Sequence, residues 1–391
     1  MKKYENYKDS GLEWLGIVPE HWEILPFKRG VSINNGRDYK HVQSEDGYPV
    51  IGSGGQFAFA SDYLYDGEVI LLGRKGTIDK PRYFNGRFWT VDTMFYAIPN
   101  QKCIAKYMYY QALTIPFSLY STDTALPSMT QTDLGNHLMC FPPTFEQRAI
   151  ASYLDQKVGK IDTLISEKEK MVEDLKAYRS SLITETVTKG LNKEVKMKDS
   201  GLEWLGMVPE HWGIIPFKRG VSINNGRDYK HVQSEEGYPV IGSGGQFAFA
   251  SDYLYDGEVI LLGRKGTIDK PRYFNGRFWT VDTMFYAIPN QKCIAKYMYY
   301  QVLTIPFSLY STDTALPSMT QTDLGNHLMC FPPTSEQRTI ASYLDYKVGQ
   351  IDALISELEH QLSDLKSYKS SLITEAVTGK IDLRDWQTKK S

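Results

Sequence analysis

Three short polar strings carry the side chains that could do chemistry. Gly73-Arg74-Lys75-Gly76-Thr77, followed by Lys80, Arg82 and Arg87, sets cations among glycines with Asp79 as the only acid. Glycine lets backbone amides approach an anion such as a phosphate closely. Asn34-Asn35-Gly36-Arg37 with Tyr39 and Lys40, and later Ser128, Thr130, Gln131 and Thr132, offer paired donors and acceptors and a guanidinium, the groups that tell one base edge from another. The plain alternatives are a solvated basic loop and ordinary turn chemistry. Each string recurs 190 residues later, as Asn224, Asn225, Arg227, Tyr229 and Lys230, as Arg264, Lys265, Lys270 and Arg272, and as Ser318, Thr320 and Gln321.

Catalytic arrangements are missing. Cys140-Phe141-Pro142-Pro143-Thr144 lacks the Asp or Asn that an amine-modifying site would place before its prolines, and paired prolines also suit a helix start. Gly52-Ser53-Gly54-Gly55 and the Gly73–Thr77 string fit neither the phosphate-loop nor the dinucleotide spacing. Asp79-Lys80 has no matching carboxylate cluster. His21, His41 and His137 have no metal-ligand spacing. The cysteines, Cys103 and Cys140 with copies Cys293 and Cys330, form no close pair and are expected to be reduced and buried. No catalytic site, metal or cofactor is expected in this chain.

These strings sit in a duplication. Lys8–Thr188 returns as Lys198–Thr378, and within it Pro26–Thr144 differs from its copy at two positions only, Asp46/Glu236 and Ala112/Val302. Phe145–Thr186 differs from its copy at thirteen. Two equal modules suit a ligand that is itself two-fold or repeated, and duplex DNA is the commonest. The chain has 391 residues, ordinary apolar and charged fractions and a formal charge of −2. Nucleic-acid contact must then come from local patches, not from a polycationic surface. No run reaches the roughly 18 apolar residues of a membrane span and no secretory segment opens the chain, so a cytoplasmic protein is expected.

Each repeat has three parts. The lead-in, Lys8–Gly16 and Pro19-Glu20-His21-Trp22, holds Trp14 and Trp22, expected to clamp it onto the module. The module reads as mixed α and β: strands at Tyr48–Ile51, Val69–Leu72, Phe88–Val91 and Met94–Ile98, turns at Asn34-Asn35-Gly36 and Asn85-Gly86, and a short helix over Ile104–Leu113. A long helix follows, with Thr144 as its expected N-cap and Glu146 and Gln147 in its first turn. Its apolar seam has heptad spacing: Val158, Ile161, Ile165, Lys168, Val172, Leu175 and Leu182 in the first copy, and Val348, Ile351, Ile355, Leu358, Leu362, Leu365 and Leu372 in the second. That spacing predicts a coiled coil between the two helices. Connectivity through a short linker makes the pair antiparallel, a rod of roughly 60 Å at 1.5 Å per residue with a module at each end and a pseudo-two-fold across it. Charged residues off the seam, such as Glu167, Lys170 and Asp174, are either docking surface or solvated face.

The order of parts resembles the DNA-specificity subunit of a type I restriction-modification enzyme. The strings that carry the resemblance are Asp9–Gly16 with Pro19-Glu20-His21-Trp22, Tyr48–Gly55, Gly73–Thr77, Pro142-Pro143-Thr144-Phe145-Glu146-Gln147-Arg148 and Glu375–Asp382. On this reading the fold is α+β, with target-recognition domains at 1–144 and 198–334, spacer helices at 145–189 and 335–379, a linker at 190–197 and a tail at 380–391. The resemblance implies a non-catalytic subunit that binds double-stranded DNA and scaffolds two modification subunits and the motor-nuclease restriction subunits. S-adenosylmethionine, ATP and Mg²⁺ would belong to those partners. Such subunits usually carry two different recognition domains; two nearly equal ones imply an interrupted palindrome. The alternative is a coiled-coil adaptor with two protein-binding modules and no DNA contact.

Overall fold

The apolar runs form the middle of a curled sheet in each repeat. The computed structural model describes residues 2–120, 127–310 and 317–386, so the last five residues of the tail lie outside it. The chain divides into two compact units, taken separately below: Met1–Glu169 with His360–Ser391, and Lys170–Glu359. Among the described residues no helix is long and apolar enough to cross a membrane.

The first unit begins with β1 (Tyr7–Asp9), β2 (Ile17–Pro19), β3 (Glu23–Pro26), β4 (Val31–Asn35), β5 (Gln43–Ser44), β6 (Tyr48–Gly52), β7 (Gly55–Ala60), β8 (Tyr65–Gly73), β9 (Arg82–Thr90) and β10 (Met94–Pro99). Helices α1 (Ala105–Ala112) and α2 (Gln131–Asn136), strand β11 (Leu138–Phe141) and the long helix α3 (Thr144–Lys189) follow. Seven strands make one sheet in the order β4-β10-β8-β9-β6-β7-β5, antiparallel except where β6 runs parallel to β9. Two pairs stand apart, β1 with β2 and β3 with β11.

A straight nine-residue strand spans about 26 Å, yet both ends of β9 reach the β6–β7 hairpin. The Thr90 hydroxyl donates to Ile51 O at 2.6 Å, and the Arg82 guanidinium donates to Ser53 O at 3.2–3.3 Å. The hairpin of β8 and β9 therefore curls. Gly67 and Gly86, which face each other in it, both have positive φ, 142° and 123°. Asn85-Gly86 is thus the bend inside a strand and not the turn its composition suggested. Asn34 and Asn35 likewise end β4, paired with Tyr96 and Phe95. Gly36 beyond them is required by close approach: a Cβ there would lie 2.0 Å from Val91 O.

The curl gives β8 a core on each face. Alternation sends Ile70 and Leu72 to the main core and Val69 and Leu71 to a smaller one inside the curl with Ile51, Phe88 and Met94. All four are buried, each stabilising by about 1.5–3 kcal/mol. The main core also takes Tyr107 and Met108 of α1, Ile150, Leu154 and Val158 of α3, and residues 372–383 from the chain's far end.

The second unit repeats this plan through eleven described strands from Met197–Asp199 to Leu328–Phe331, helices α4 (Ala295–Val302) and α5 (Gln321–Asn326), and the long helix α6 (Thr334–Val377). Its sheet has the same order and pairing. Its main core is completed by Ile183 and Val187 from the end of α3. Both long helices stop at a glycine of positive φ, Gly190 (74°) and Gly379 (72°), the left-handed cap.

Within each unit the long helices run antiparallel. In the first, Lys369 pairs with Asp162 at 2.6 Å, Lys366 with Glu169 at 2.8 Å, and Lys168 donates to Gln361 at 2.6 Å. In the second, Arg179 pairs with Asp352 at 2.7 Å and Lys176 with Glu359 at 2.8 Å. Exposed pairs of this kind contribute about 0–1 kcal/mol each; the expected seam carries more. Val158, Ile161 and Val172, and Val348, Ile351, Ile355, Leu358, Leu362 and Leu372, are all buried.

Two expectations about the ends change. Trp22 is fully buried and donates to Glu146 Oε2 at 3.0 Å, but Trp14 stays 41% exposed, stacked on His137 at 5.2 Å. Only Trp22 clamps. Thr144 is the first residue of α3 and its hydroxyl donates to Lys102 O at 3.2 Å, so it ties the helix start to the module and does not cap it. The neighbouring carboxylate does more: Glu146 is 1% exposed and also accepts from Tyr4 Oη at 2.8 Å and contacts His21 Nε2 at 2.7 Å. In the second unit Glu336 keeps the His211 and Trp212 contacts, but the position 190 residues after Tyr4 is Glu194, and Glu336 is 41% exposed.

Leu358 is buried in the seam while Leu354, one turn away, is 54% exposed. Leu358→Asp is expected to lower stability by about 3 kcal/mol in urea unfolding, and Leu354→Asp by no more than about 0.5 kcal/mol; equal losses would remove the seam as the source of pairing energy. Burial pushes His137 and His327 down to about 4. Above about pH 6.5 these imidazoles are neutral folded or unfolded. Below it the unfolded chain takes up protons that the folded chain refuses until about pH 4, so stability falls across that window. The urea midpoint of wild type should drop between pH 7 and pH 5, and that drop should be smaller in a His137→Asn, His327→Asn variant.

Candidate nucleic-acid interface

Five successive residues, Thr90–Met94, join β9 to β10 and gather the candidate strings. Thr90 O accepts from Arg37 N at 2.8 Å, and Val91 O from Met94 N at 2.9 Å. Asp92 O accepts from the Arg74 guanidinium at 3.3 Å, Thr93 O from the amides of Arg74 and Lys75 at 2.8 and 3.2 Å, and Met94 O from Gly36 N at 2.9 Å. Every carbonyl of the connection is used. The 34–40 and 73–77 strings are therefore fixed to one backbone segment by main-chain bonds.

The third string joins them. Lys75 and Ser128 form an antiparallel bridge, Gly76 N donates to Pro127 O at 2.8 Å, and Met129 N donates to Arg74 O at 3.0 Å. The Gln131 amide donates to Ile33 O at 2.9 Å, beside Asn34. Arg74 also lies over the Phe95 ring at 5.9 Å, and Phe95 is paired with Asn35.

Within this cluster the side chains divide by use. Asn34 donates to Ser32 O at 3.0 Å, Arg82 holds Ser53 O, and Thr130 caps α2 by accepting from Asp133 N at 3.1 Å. Tyr39 packs edge-on against Phe57 at 5.3 Å. Asn35, Arg37, Lys40, Lys75 and Lys80 are exposed, and their side chains make no hydrogen bond or ion pair among the described residues. Asp38, Asp79 and Asp92 are exposed among them. Arg87, from the same basic stretch, is used elsewhere: it pairs with Asp66 at 2.8 Å and stacks on Tyr48 and Tyr63.

The second unit reproduces the cluster. Asn224 donates to Ser222 O, Arg264 to Asp282 O, Gln321 to Ile223 O and Arg272 to Ser243 O, Thr320 caps α5, and Lys265 bridges to Ser318. Tyr229 packs on Phe247 at 5.3 Å, and Asn225, Arg227, Lys230, Lys265 and Lys270 are exposed. Sequence reasoning missed two parts: the Thr90–Met94 connection, which looks like a gap between strands, and Phe57 and Phe59. The two large rings in the short run Gln56-Phe57-Ala58-Phe59-Ala60 were the available signal. Among the described residues no group of three His, Cys, Asp or Glu side chains could hold a metal ion.

A family model for the type I restriction modification DNA specificity domain matches residues 21–174 and 213–364. The EcoDI type I restriction enzyme specificity subunit of Escherichia coli is 19% identical, with 94% of this chain and 90% of that protein covered. The putative MjaX type I restriction enzyme specificity subunit of Methanocaldococcus jannaschii is 22% identical, with 98% of both covered. A solved structure from work on complex assembly and conformational transition of a type I R-M system aligns with a TM-score of 0.68 and 16% identity over 93% of this chain and 99% of that chain. At that identity the match shows the shared fold: α+β, two sheet domains and long helices.

Gly36 and Gly54 separate packing from flexibility. A Cβ at Gly36 would meet the Val91 and Thr90 carbonyls, whereas nothing lies within 4 Å of one at Gly54. Gly36→Ala should lower stability by about 2 kcal/mol in urea unfolding and Gly54→Ala should have little effect; the reverse order would mean the connection does not hold this cluster.

Proposed function

Because the chain belongs to the type I restriction-modification DNA specificity family, we propose that each module reads one half of a split DNA target with the cluster around Thr90–Met94. The observation that carries this is the set of exposed, unpaired Asn35, Arg37, Lys40, Lys75 and Lys80 side chains on a backbone fixed by its own carbonyls. A rigid backbone with unsatisfied donors is what sequence reading needs, because only pre-placed groups discriminate geometry. Lys75, Lys80 and the amides around Gly76 suit phosphate oxygens, which fix register. Asn35 and Arg37 suit base edges, Asn pairing with adenine and Arg with guanine. Arg82, Thr130 and Asn34 support the surface from behind.

The modules repeat this cluster with the same partners, so the proposed target is a half-site and its inverted complement around an unread spacer. The chain itself carries out no chemistry on this reading. It seats two modification subunits, which bring S-adenosylmethionine, and the restriction subunits, which bring ATP and Mg²⁺, on DNA in the cytoplasm. Its long helices serve as ruler and scaffold. An adaptor without DNA contact is the weaker reading, because it leaves the unpaired cations around the glycines without a use.

Mapping of methylated adenines in a host carrying this chain with its cognate modification subunit should return an interrupted palindrome. An asymmetric motif would show the modules to be inequivalent, and no motif would favour the adaptor. On the mapped duplex, Arg37→Ala should weaken binding by about 1–3 kcal/mol, and adding Arg227→Ala should cost a similar further amount. Markedly unequal losses would tell against equal modules.

A further inference from the structure

Phe57 stands out beside the cluster because the strand is distorted to present it. In the β6–β7 ladder Ile51 faces Gln56 and Val50 faces Ala58, leaving Phe57 as the extra residue of a β-bulge. Bulges re-aim side chains and are common next to functional sites. The ring is 56% exposed but held: Tyr39 meets it edge-on at 5.3 Å, and its Cε1 lies 3.2 Å from where a Gly52 Cβ would be. The second unit repeats each feature, with Phe247 bulged between the same pairings, 55% exposed, against Tyr229 and Gly242.

A single exposed aromatic is ordinary. A bulged aromatic held by Tyr39, from the string that carries the unpaired Asn35, Arg37 and Lys40, is not accounted for by the stability of the module. Tyr39 ties it to the Gly36–Lys40 string, and a Cβ added at Gly52 would lie 4.0 Å from Val91 Cγ2 on the Thr90–Met94 connection. Tyr39, two residues from Arg37, thus joins the ring to the string that carries Asn35 and Arg37. The apolar group on a major-groove base edge is the thymine 5-methyl.

We propose that Phe57 and Phe247 are specificity-determining residues that contact the 5-methyl of a thymine in each half-site. This rests on the DNA-reading function proposed above. The ring supplies apolar contact where Asn35 and Arg37 supply hydrogen bonds, and the bulge sets its height above the sheet.

The test uses the full chain and a duplex carrying the mapped motif, alongside the same duplex with deoxyuridine in place of thymidine in the half-sites. Phe57→Ala with Phe247→Ala should weaken binding to the thymine duplex about tenfold with an unchanged salt slope, since phosphate contacts are untouched. Wild type should lose about as much on the uracil duplex, and the double variant should bind both duplexes equally. Phe57→Leu with Phe247→Leu should keep most of the preference for thymine, and unfolding midpoints should match wild type. Wild-type binding by the alanine variant, or an equal thymine preference in variant and wild type, would overturn the proposal, as would affinity lost by the variant with no thymine preference in wild type. Absence of any duplex binding by wild type would instead overturn the DNA-reading function on which it rests.

Discussion

The structure depends on a requirement of helix ends: the last carbonyls of a helix need donors from outside it. In the first unit Thr374, Glu375 and Ala376 O at the end of α6 accept from the amides of Thr378, Lys380 and Gly379, and Val377 O finds its donor in a buried cluster of the first module. Gln111 Nε2 lies 3.0 Å from both Val377 O and Cys140 O and 2.5 Å from Tyr107 Oη, which donates to Cys140 O at 2.9 Å. In the second unit Gln301 Nε2 lies 2.9 Å from Val187 O at the end of α3, with Tyr297 on Cys330 O. Each module therefore closes its core on a helix that belongs to the other repeat. Leu372, Ile373, Ala376 and Val377 are as much part of the first core as Tyr107 and Met108. One repeat taken alone leaves those apolar faces and the Gln111 donor uncovered, which ties the duplication of the chain to its fold.

That closure explains which parts of the architecture were legible in the sequence. Strands at Val69–Leu72, Phe88–Val91 and Met94–Ile98 and the helix over 105–112 follow from local apolar runs and their punctuation. The heptad seam was legible because coiled-coil packing repeats along one helix. What escaped depends on distant partners. Asn34-Asn35-Gly36 and Asn85-Gly86 have turn composition, but the first is held in a strand by Phe95 and Tyr96 and the second bends a strand whose two ends meet one hairpin. Trp14 and Trp22 look alike in sequence; only Trp22 has a buried carboxylate, Glu146, waiting for its indole N–H.

The same distinction runs through the candidate interface. Residue type marks Asn34, Arg82 and Thr130 as equal in promise to Asn35, Arg37 and Lys75. The structure assigns the first three to hydrogen bonds within the module and leaves the second three exposed. Their gathering comes from strand order, since the start of β10 pairs with the end of β4 on one side and the end of β8 on the other, and so sets Thr90–Met94 between the 34–40 and 73–77 strings. No local pattern encodes that order, because β4, β8 and β10 are separated in sequence by the strands β5–β7 and β9.

Near-identity of sequence produces near-identity of this surface for a physical reason that can be followed at both differing positions. Asp46 and Glu236 are exposed in the short connection between the two strands that flank β7, so a methylene is added into solvent. Ala112 and Val302 are fully buried at the end of α1 and α4, where two added methyl groups could have shifted the neighbouring glutamine. They do not: Gln111 and Gln301 reach the opposing helix end at 3.0 and 2.9 Å. The lead-in and tail absorb the real differences between the units, as Tyr4 and Glu194 show by burying Glu146 and exposing Glu336. Those differences fall where β1–β3 and the long helices meet the module. The main-chain bonds around Thr90–Met94 recur in the second unit, with Arg227 N on Thr280 O and Gly226 N on Met284 O, each at 2.9 Å, so a chain with variable helices keeps these two surfaces alike.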